Sequence, residues 1–207
     1  MLPTIAQAEA ELQTAYELNP GPWVDHSRNV GLAARNIARR VPGMDPVKAH
    51  ILGLLHDIGR RVGIVSISRH VAAGYEYALQ QGWEEVARIC MTHSYILMEQ
   101  DIDLRSGDKD EQLIRDYLCA CTPDDYDRLI QLCDSLATDF GFVILEKRFV
   151  DVARRYGIWS TTLARWNETF RIKEDFEARM GCSIYDLLPD IGRTTLLSPP
   201  PWKPPVT

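Results

Sequence analysis

The sequence predicts an all-α protein, and three observations lead to that prediction. Apolar residues recur at helical spacing along most of the chain, whereas strand-like alternation is nowhere convincing. Several of these periodic segments begin or end at residues that start or stop helices. The length of 207 residues, of which 45% are hydrophobic and 25% charged, matches one ordinary globular domain with a sizeable core.

The helical pattern divides the chain into nine segments separated by short breaks. Two of them begin with an N-cap oxygen followed by a proline at the first helical position, at Asp45-Pro46 and at Thr122-Pro123. Glycines mark three of the breaks, at Gly82, Gly141 and Gly181. The predicted helices span 4–18, 22–41, 45–60, 69–81, 83–93, 110–119, 123–139, 144–156 and 160–180.

Two segments fall outside this helical pattern. The stretch 94–109 lacks clear periodicity and is expected to be a loop that reaches over the site containing His93, which makes it a candidate lid. The last residues, SPPPWKPPVT, are rich in proline, which removes backbone donors and favours extended polyproline geometry. We therefore expect residues 1–197 to form a single domain and residues 198–207 to form a tail.

Composition narrows the class of function. A formal charge of −6 argues against binding to nucleic acid or to a membrane surface, since both need a concentrated basic face, and favours a small diffusible ligand. Five cysteines without CxxC spacing indicate reduced thiols in a cytosol. No signal-peptide pattern and no apolar window of about 18 residues is present, so we expect a cytoplasmic protein.

Several titratable residues lie on the apolar faces of their predicted helices. His26, for example, shares a face with Val30 and Ile37. A buried imidazole or carboxylate costs several kcal/mol unless it is compensated, and a divalent cation would compensate several at once. One such histidine alone is more often a hydrogen-bonded core residue, but the whole set favours a metal site. The inward residues are His26, His56, Asp57, His70, His93 and Asp134.

The stretch AHILGLLHDIGRR is apolar nearly all round and predicts a central, buried helix. His56 and Asp57 interrupt it, and Gly53 one turn earlier points into the wedge between them, which leaves room for a cation or a neighbouring helix. If the helix continues, Arg60 projects into the same wedge and could bind phosphate oxygens. His50 projects near Asp57 and is expected to have a structural or supporting role.

The order of His26, His56-Asp57 and Asp134 resembles the H…HD…D signature of the HD-domain superfamily of metal-dependent phosphohydrolases. LLHDIG is a strong local match of the HDIG type, and DHSRNVGLAARNIA and LIQLCDSLA resemble the helices that carry the first and last ligands. The resemblance covers about residues 20–140 and implies a helical bundle, with the helices of 144–180 added to it. ELNPGPWVDHSRNV and SIYDLLPD are similar to a bacterial set of predicted HD hydrolases without an assigned substrate.

The resemblance also implies a ligand set. His26, His56, Asp57 and Asp134 would hold one metal ion. His70 and His93 fall where branches with two metals place extra histidines, so Asp57 would bridge two ions. The GYP signature and the paired histidines of cyclic-dinucleotide phosphodiesterases are missing, which disfavours that activity.

Such a site suits one or two ions of Fe²⁺, Mn²⁺, Ni²⁺, Zn²⁺ or Mg²⁺, which would make hydroxide available at neutral pH. We expect Asp57 and Arg60 to be catalytic, and Arg60, Arg61 and Arg28 to bind a small phosphorylated, nucleotide-like substrate. The arginines are the weaker assignment, because long basic side chains occur on most helix ends.

Two other functions stay open. An HD-type di-iron oxygenase could use the same six ligands, although no matching substrate-loop motif is present, and a non-catalytic regulatory module would usually have lost ligands. Aromatic residues in the C-terminal helices favour packing on the core or a homodimer contact over stacking on a base. These residues are Trp159, Trp166, Phe170 and Phe176.

Overall fold

A computed structural model describes residues 1–101 and 108–197 and confirms the all-α prediction. The helices are α1 Ile5–Leu18, α2 Trp23–Ala38, α3 Pro46–Leu55, α4 Ile67–Gln80, α5 Glu84–Thr92, α6 Lys109–Ala120, α7 Asp125–Leu136, α8 Leu145–Tyr156, α9 Thr162–Met180 and α10 Ile191–Leu196. Short 3-10 helices span Ile58–Val62, Met98–Asp101 and Ile184–Leu187. No helix in the described ranges is both long enough and apolar enough to cross a bilayer.

The centre of the fold is the contact between α2 and α3. Helix α3 is buried from Ala49 to its end at Leu55, as its apolar sequence predicted. Gly31 of α2 and Gly53 of α3 meet where the backbones touch, since a Cβ built at Gly53 would lie 2.6 Å from the Cα of Gly31. The space beside Gly53 is therefore filled by a neighbouring helix, one of the two uses that the sequence allowed.

The predicted helix 45–60 ends earlier than expected, and this part of the prediction is wrong. Helix α3 stops at Leu55, and a 3-10 helix follows. The reason is a close approach to α4: a Cβ at Gly59 would lie 1.9 Å from the carbonyl oxygen of His70 and 2.4 Å from the nitrogen of Gly74. The tighter turn brings Gly59 against α4, and Gly63, with a φ of 111°, ends it.

The predicted helix 123–139 is also shorter in the structure. It begins after Asp124, not after Thr122, because the Asp124 carboxylate accepts hydrogen bonds from the backbone N–H groups of Tyr126 and Asp127 and completes a capping box. It ends at Leu136 and leads into two antiparallel two-residue strands, which are too short for an alternating pattern to reveal. These strands are β1 Ala137–Thr138 and β2 Gly141–Phe142.

The C-terminal helices pack on the rest of the domain through aromatic side chains. The rings of Phe149 and Trp166 are stacked with centroids 5.2 Å apart, and Phe176 is only 1% exposed. The packing interpretation is thus confirmed for Trp166, Phe170 and Phe176, which belong to the core or pack against it, whereas Trp159 is 54% exposed. Helix α10 was not predicted. Lys147 of α8 holds the C-terminal end of α10 by donating to carbonyl oxygens that include those of Thr194 and Leu197.

Part of the predicted loop 94–109 is ordered against α9. The buried carboxylate of Asp101 pairs with Arg165 at 2.7 Å and accepts a hydrogen bond from the backbone N–H of Leu97 at 2.8 Å. Arg165 also donates to the carbonyl oxygen of Ser94. Residues 102–107 of the candidate lid and the tail 198–207 lie outside the described residues, so those two predictions are not tested.

Candidate metal centre

The fold brings the six predicted ligands together from five separate elements. His26 comes from α2, His56 and Asp57 from the end of α3, His70 from α4, His93 from the end of α5 and Asp134 from α7. Their ligand atoms form two groups, and within each group all the atoms lie within 4.8 Å of one another. The first group is His26, His56 and Asp134; the second group is Asp57, His70 and His93.

In the first group, His26 Nε2 lies 2.9 Å from Asp134 Oδ1. His56 Nδ1 donates to the carbonyl oxygen of Gly53 at 2.7 Å, which fixes the ring so that Nε2 is left without a hydrogen-bond partner. Burial lowers the pKa of His56 to about 4, against the opposing effect of the nearby carboxylates. His56 is therefore neutral at pH 7 and offers a free lone pair, which is the form that binds metal ions.

Asp134 is charged, and its side chain is 29% exposed. Burial raises its pKa, but the hydrogen bond with His26 and the electrostatic interactions with His26 and His56 outweigh burial and hold the pKa below the usual range. Its carboxylate is thus available as an anionic ligand over the whole physiological pH range.

In the second group, Asp57 is the shared neighbour of two histidines. Its Oδ1 lies 3.2 Å from His70 Nε2 and 3.4 Å from His93 Nε2. Burial lowers the pKa of His70. His93 Nδ1 donates to the carbonyl oxygen of Ile89 at 3.0 Å, which orients its ring. Burial lowers the pKa of His93 too, but the close contact with Asp57 and the Asp57 charge outweigh it, so the net pKa is raised.

The two groups adjoin at the His56-Asp57 pair. His56 Nε2 lies 3.7 Å from Asp57 Oδ2, and the rings of His56 and His93 are 5.1 Å apart. Burial raises the pKa of Asp57, but the Arg60 charge, His56 and the contacts with His70 and His93 together hold it well below the usual range. The centre thus combines two carboxylates with four imidazoles in a buried volume.

Unpartnered atoms in this volume fit a metal ion. Three buried atoms lack a hydrogen-bond partner, namely His56 Nε2 in the first group and Asp57 Oδ1 and His70 Nε2 in the second. Each such atom costs about 1–3 kcal/mol, and a cation held between nitrogen and carboxylate donors would satisfy all three. Both groups of residues could therefore hold a divalent metal.

Of the three predicted substrate-binding arginines, the structure places Arg60 next to the centre. Its Nε donates to Asp57 Oδ2 at 2.6 Å, and the charge of Asp57 raises the pKa of Arg60. It reaches this position from the 3-10 helix rather than from a continued α3. The other two arginines have different neighbours.

Arg61 and Arg28 make their described contacts away from the six ligand residues. The Arg61 guanidinium lies 3.8 Å from the ring centroid of Tyr77 and within 3.7 Å of Glu11. Arg28 pairs with Asp25 at 3.0 Å and with Glu9 at 3.4 Å. Their roles in substrate binding stay predictions.

A pocket of about 100 Å³ opens beside the second group. Its lining combines polar and apolar residues, and Ile64 among the apolar ones is fully exposed. Asn19 is a pocket residue that the sequence analysis missed, and its Nδ2 donates to the carbonyl oxygen of Arg60 at 2.7 Å. The one sequence signal for it is its position just before Pro20 and α2. The lining residues are Asn19, Arg60, Gly63, Ile64, Val65 and His70.

Comparison with known proteins gives one match. A family model described as the HD domain matches residues 23–139, more than half of the chain and a range that contains all six ligand residues. It names the domain as a whole and no branch of it. No curated protein and no solved structure matches the chain. The chain belongs to the HD domain family.

Proposed function

We propose that this protein is a metal-dependent hydrolase of a phosphate ester or phosphoanhydride, acting on a small, nucleotide-like molecule. One observation carries the proposal: two groups of histidine and carboxylate ligands adjoin at a buried pair, with metal-binding atoms left unpartnered and an arginine beside them. Membership of the HD domain family supports it, since members are mostly metal-dependent phosphohydrolases.

Each residue has a distinct task in this proposal. His26, His56 and Asp134 would hold one divalent ion, and Asp57, His70 and His93 a second. Bound ions supply Lewis acidity toward phosphoryl oxygens and a source of hydroxide at neutral pH. The hydrogen bonds from His56 Nδ1 and His93 Nδ1 to carbonyl oxygens of their own helices keep the opposite nitrogens directed at the centre.

Arg60 would bind the substrate phosphate. Its side chain is 39% exposed and lines the pocket while its Nε remains on Asp57. Its other N–H groups would donate to the phosphoryl oxygens on which charge develops. Asn19 holds the backbone of Arg60 by donating to its carbonyl oxygen. Ile64 and Val65 would contact the remainder of the substrate.

The test is phosphate release from a panel of nucleotides, dinucleoside polyphosphates and phosphodiesters by protein loaded anaerobically with Mn²⁺, Fe²⁺, Ni²⁺, Zn²⁺ or Mg²⁺. We expect turnover with at least one substrate and metal, and its loss in Asp57→Ala. Asp125→Asn, which alters an exposed acid paired with Arg179, serves as the control and should retain the activity. Activity that survives in Asp57→Ala, or no turnover under any condition, would overturn the proposal.

A di-iron oxygenase is the second candidate, because the same six side chains form two adjoining ligand groups. Oxygen consumption by the iron-loaded protein separates the two functions. Consumption that depends on an added organic substrate, without phosphate release from the panel, would favour the oxygenase. Ligand binding without turnover under every metal would favour a regulatory module.

A further inference from the structure

The C-terminal end of α5 is held in place by side chains of two other helices. A helix leaves its last four carbonyl groups without partners inside the helix. Here the carbonyl oxygen of Thr92, the last residue of α5, and those of residues 94, 95 and 96 just beyond the helix accept hydrogen bonds from side chains of α7 and α9. His93, the C-cap residue of α5, lies within this stretch. Its backbone position is therefore set from outside α5.

Gln131 of α7 makes the central contacts with this stretch. Its Nε2 donates to the carbonyl oxygen of Thr92 at 2.9 Å and to that of Tyr95 at 3.2 Å, so one amide binds the backbone on both sides of His93. Gln131 is only 2% exposed. Arg128 Nη1 donates to Gln131 Oε1 at 3.1 Å, which fixes the orientation of the amide.

A second contact fixes the same pair of helices one turn earlier on α7. The hydroxyl of Thr92 donates to Asp127 Oδ1 at 2.7 Å, and Arg88 Nε donates to Asp127 Oδ2 at 3.0 Å. The Asp127 side chain is fully buried. Helix α5 is thus attached to α7 at positions 127 and 131, and Asp134 lies one turn further along α7.

We propose that Gln131 is a positioning residue that sets the placement of His93 relative to Asp134, and thereby the spacing of the two metal sites. The inference rests on the proposed function, since it takes the two ligand groups to be metal sites. The amide of Gln131 connects the backbone around His93, a ligand of the second group, to α7. Helix α7 also carries Asp134, a ligand of the first group. The carbonyl oxygens of Thr92 and Tyr95 also accept backbone hydrogen bonds from Tyr95 and Met98, so local turns keep them partnered, and the Gln131 amide is what links this segment to α7. Without the amide donor, that link between the His93 backbone and α7 is lost.

The test is titration of the full-length protein with Mn²⁺, following the electron paramagnetic resonance signal of the free ion. Gln131→Met keeps the length of the side chain and removes the donor. We expect one of two Mn²⁺ affinities to weaken about 10- to 100-fold, with the other unchanged. His70→Ala, which removes a ligand of the second group alone, identifies which affinity belongs to that group.

Asn36→Leu is the matched control, because leucine has the size of asparagine but no donor. Asn36 Nδ2 donates to the carbonyl oxygen of Leu187 at 3.0 Å, a bond of the same kind that joins α2 to the last 3-10 helix. This variant should bind Mn²⁺ as the wild type does. If Gln131→Met does not fold, Arg128→Met leaves the amide in place but frees its orientation and removes the donor to the Ile96 carbonyl oxygen. The same affinity should then weaken by a smaller factor.

Unchanged Mn²⁺ affinities in Gln131→Met would overturn the inference even if the melting temperature fell, because the amide would then only stabilise the fold. Equal weakening at both sites would overturn it as well. Wild-type protein that binds no Mn²⁺ or other divalent ion would instead remove the proposed function, and with it this inference.

Discussion

The Asp57 carboxylate is contacted from several sides. Arg60 lies 2.6 Å from it, His70 3.2 Å, His93 3.4 Å and His56 3.7 Å. The buried carboxylate therefore belongs to the second ligand group and also borders the first. A substitution here should affect both.

Asp57→Asn should abolish hydrolysis and weaken binding of the second ion at least tenfold, because the amide has the size of the carboxylate but not its negative charge. Metal content by mass spectrometry and phosphate release by colorimetric assay check the two effects. An Asp57→Asn protein with wild-type metal content and activity would show that the carboxylate is not a ligand.

Arg60→Met should lower kcat/KM for the substrate about 100-fold, because the donors to the phosphoryl oxygens are lost while the metal ligands remain. The kcat/KM of Arg60→Lys should lie between those of the wild type and Arg60→Met, because an ammonium group keeps the charge but lacks the planar, two-pronged donor of the guanidinium. Steady-state kinetics together with metal analysis check this expectation. A loss of metal in parallel with activity would show that Arg60 acts mainly by holding Asp57.

At the scale of single residues, the sequence could predict which polar side chains face inward. Histidines and aspartates on apolar helix faces carry that information, and the structure brings all six together. The sequence could not identify Asn19 or Gln131, because their roles depend on hydrogen bonds to distant backbone carbonyls. It did place Arg60 first among the arginines, one turn beyond the His-Asp pair, but it could not show that Arg28 and Arg61 have other neighbours, since the partners of a surface arginine are set by tertiary packing.

At the scale of elements, the contact between α2 and α3 determines how His26 and His56 meet. Gly53→Ala should lower the free energy of unfolding by about 1–3 kcal/mol, because the new methyl group would lie 2.6 Å from the Cα of Gly31 and force the helices apart. The first ligand group should lose metal affinity at the same time. Chemical denaturation and Mn²⁺ titration measure the two effects.

Gly192→Ala provides the matched control, because a Cβ at Gly192 in α10 meets no atom within 4 Å. This variant should be neutral or slightly stabilising, as alanine favours helix over glycine. If the two variants had equal stability, the close contact of α2 with α3 would not be a constraint on the fold.

Element boundaries were predictable where a local signal decides them. Asp45 before Pro46 starts α3 as predicted, because the cap needs only neighbouring residues. The end of α3 was missed because the approach of Gly59 to α4 decides it, and no local pattern encodes that distance. The two-residue strands were missed because they hold too few residues for any periodicity.

At the scale of the whole molecule, metal binding and stability should be coupled. An ion that binds the folded chain and not the unfolded one stabilises the fold by about 2.7 kcal/mol at a concentration 100 times its Kd. Treatment with a chelator should therefore lower the melting temperature by several degrees, and added Mn²⁺ should restore it. A melting temperature that is independent of chelator and metal would contradict the assignment.

The global architecture followed from the sequence because helical periodicity and the spacing of the ligands agree with each other. The HD match over residues 23–139 and the all-α fold confirm that part. The substrate could not be derived in the same way. The pocket residues lie between the end of α1 and α4 in the sequence, and only the tertiary packing brings them together.

The central claim is that side chains from five elements converge on divalent ions. The most direct measurement is an anomalous difference map from crystals grown with Mn²⁺. We predict one peak bound by His26, His56 and Asp134 and a second bound by Asp57, His70 and His93. The absence of any peak at these six side chains, or Mn²⁺ bound only elsewhere on the protein, would contradict the account.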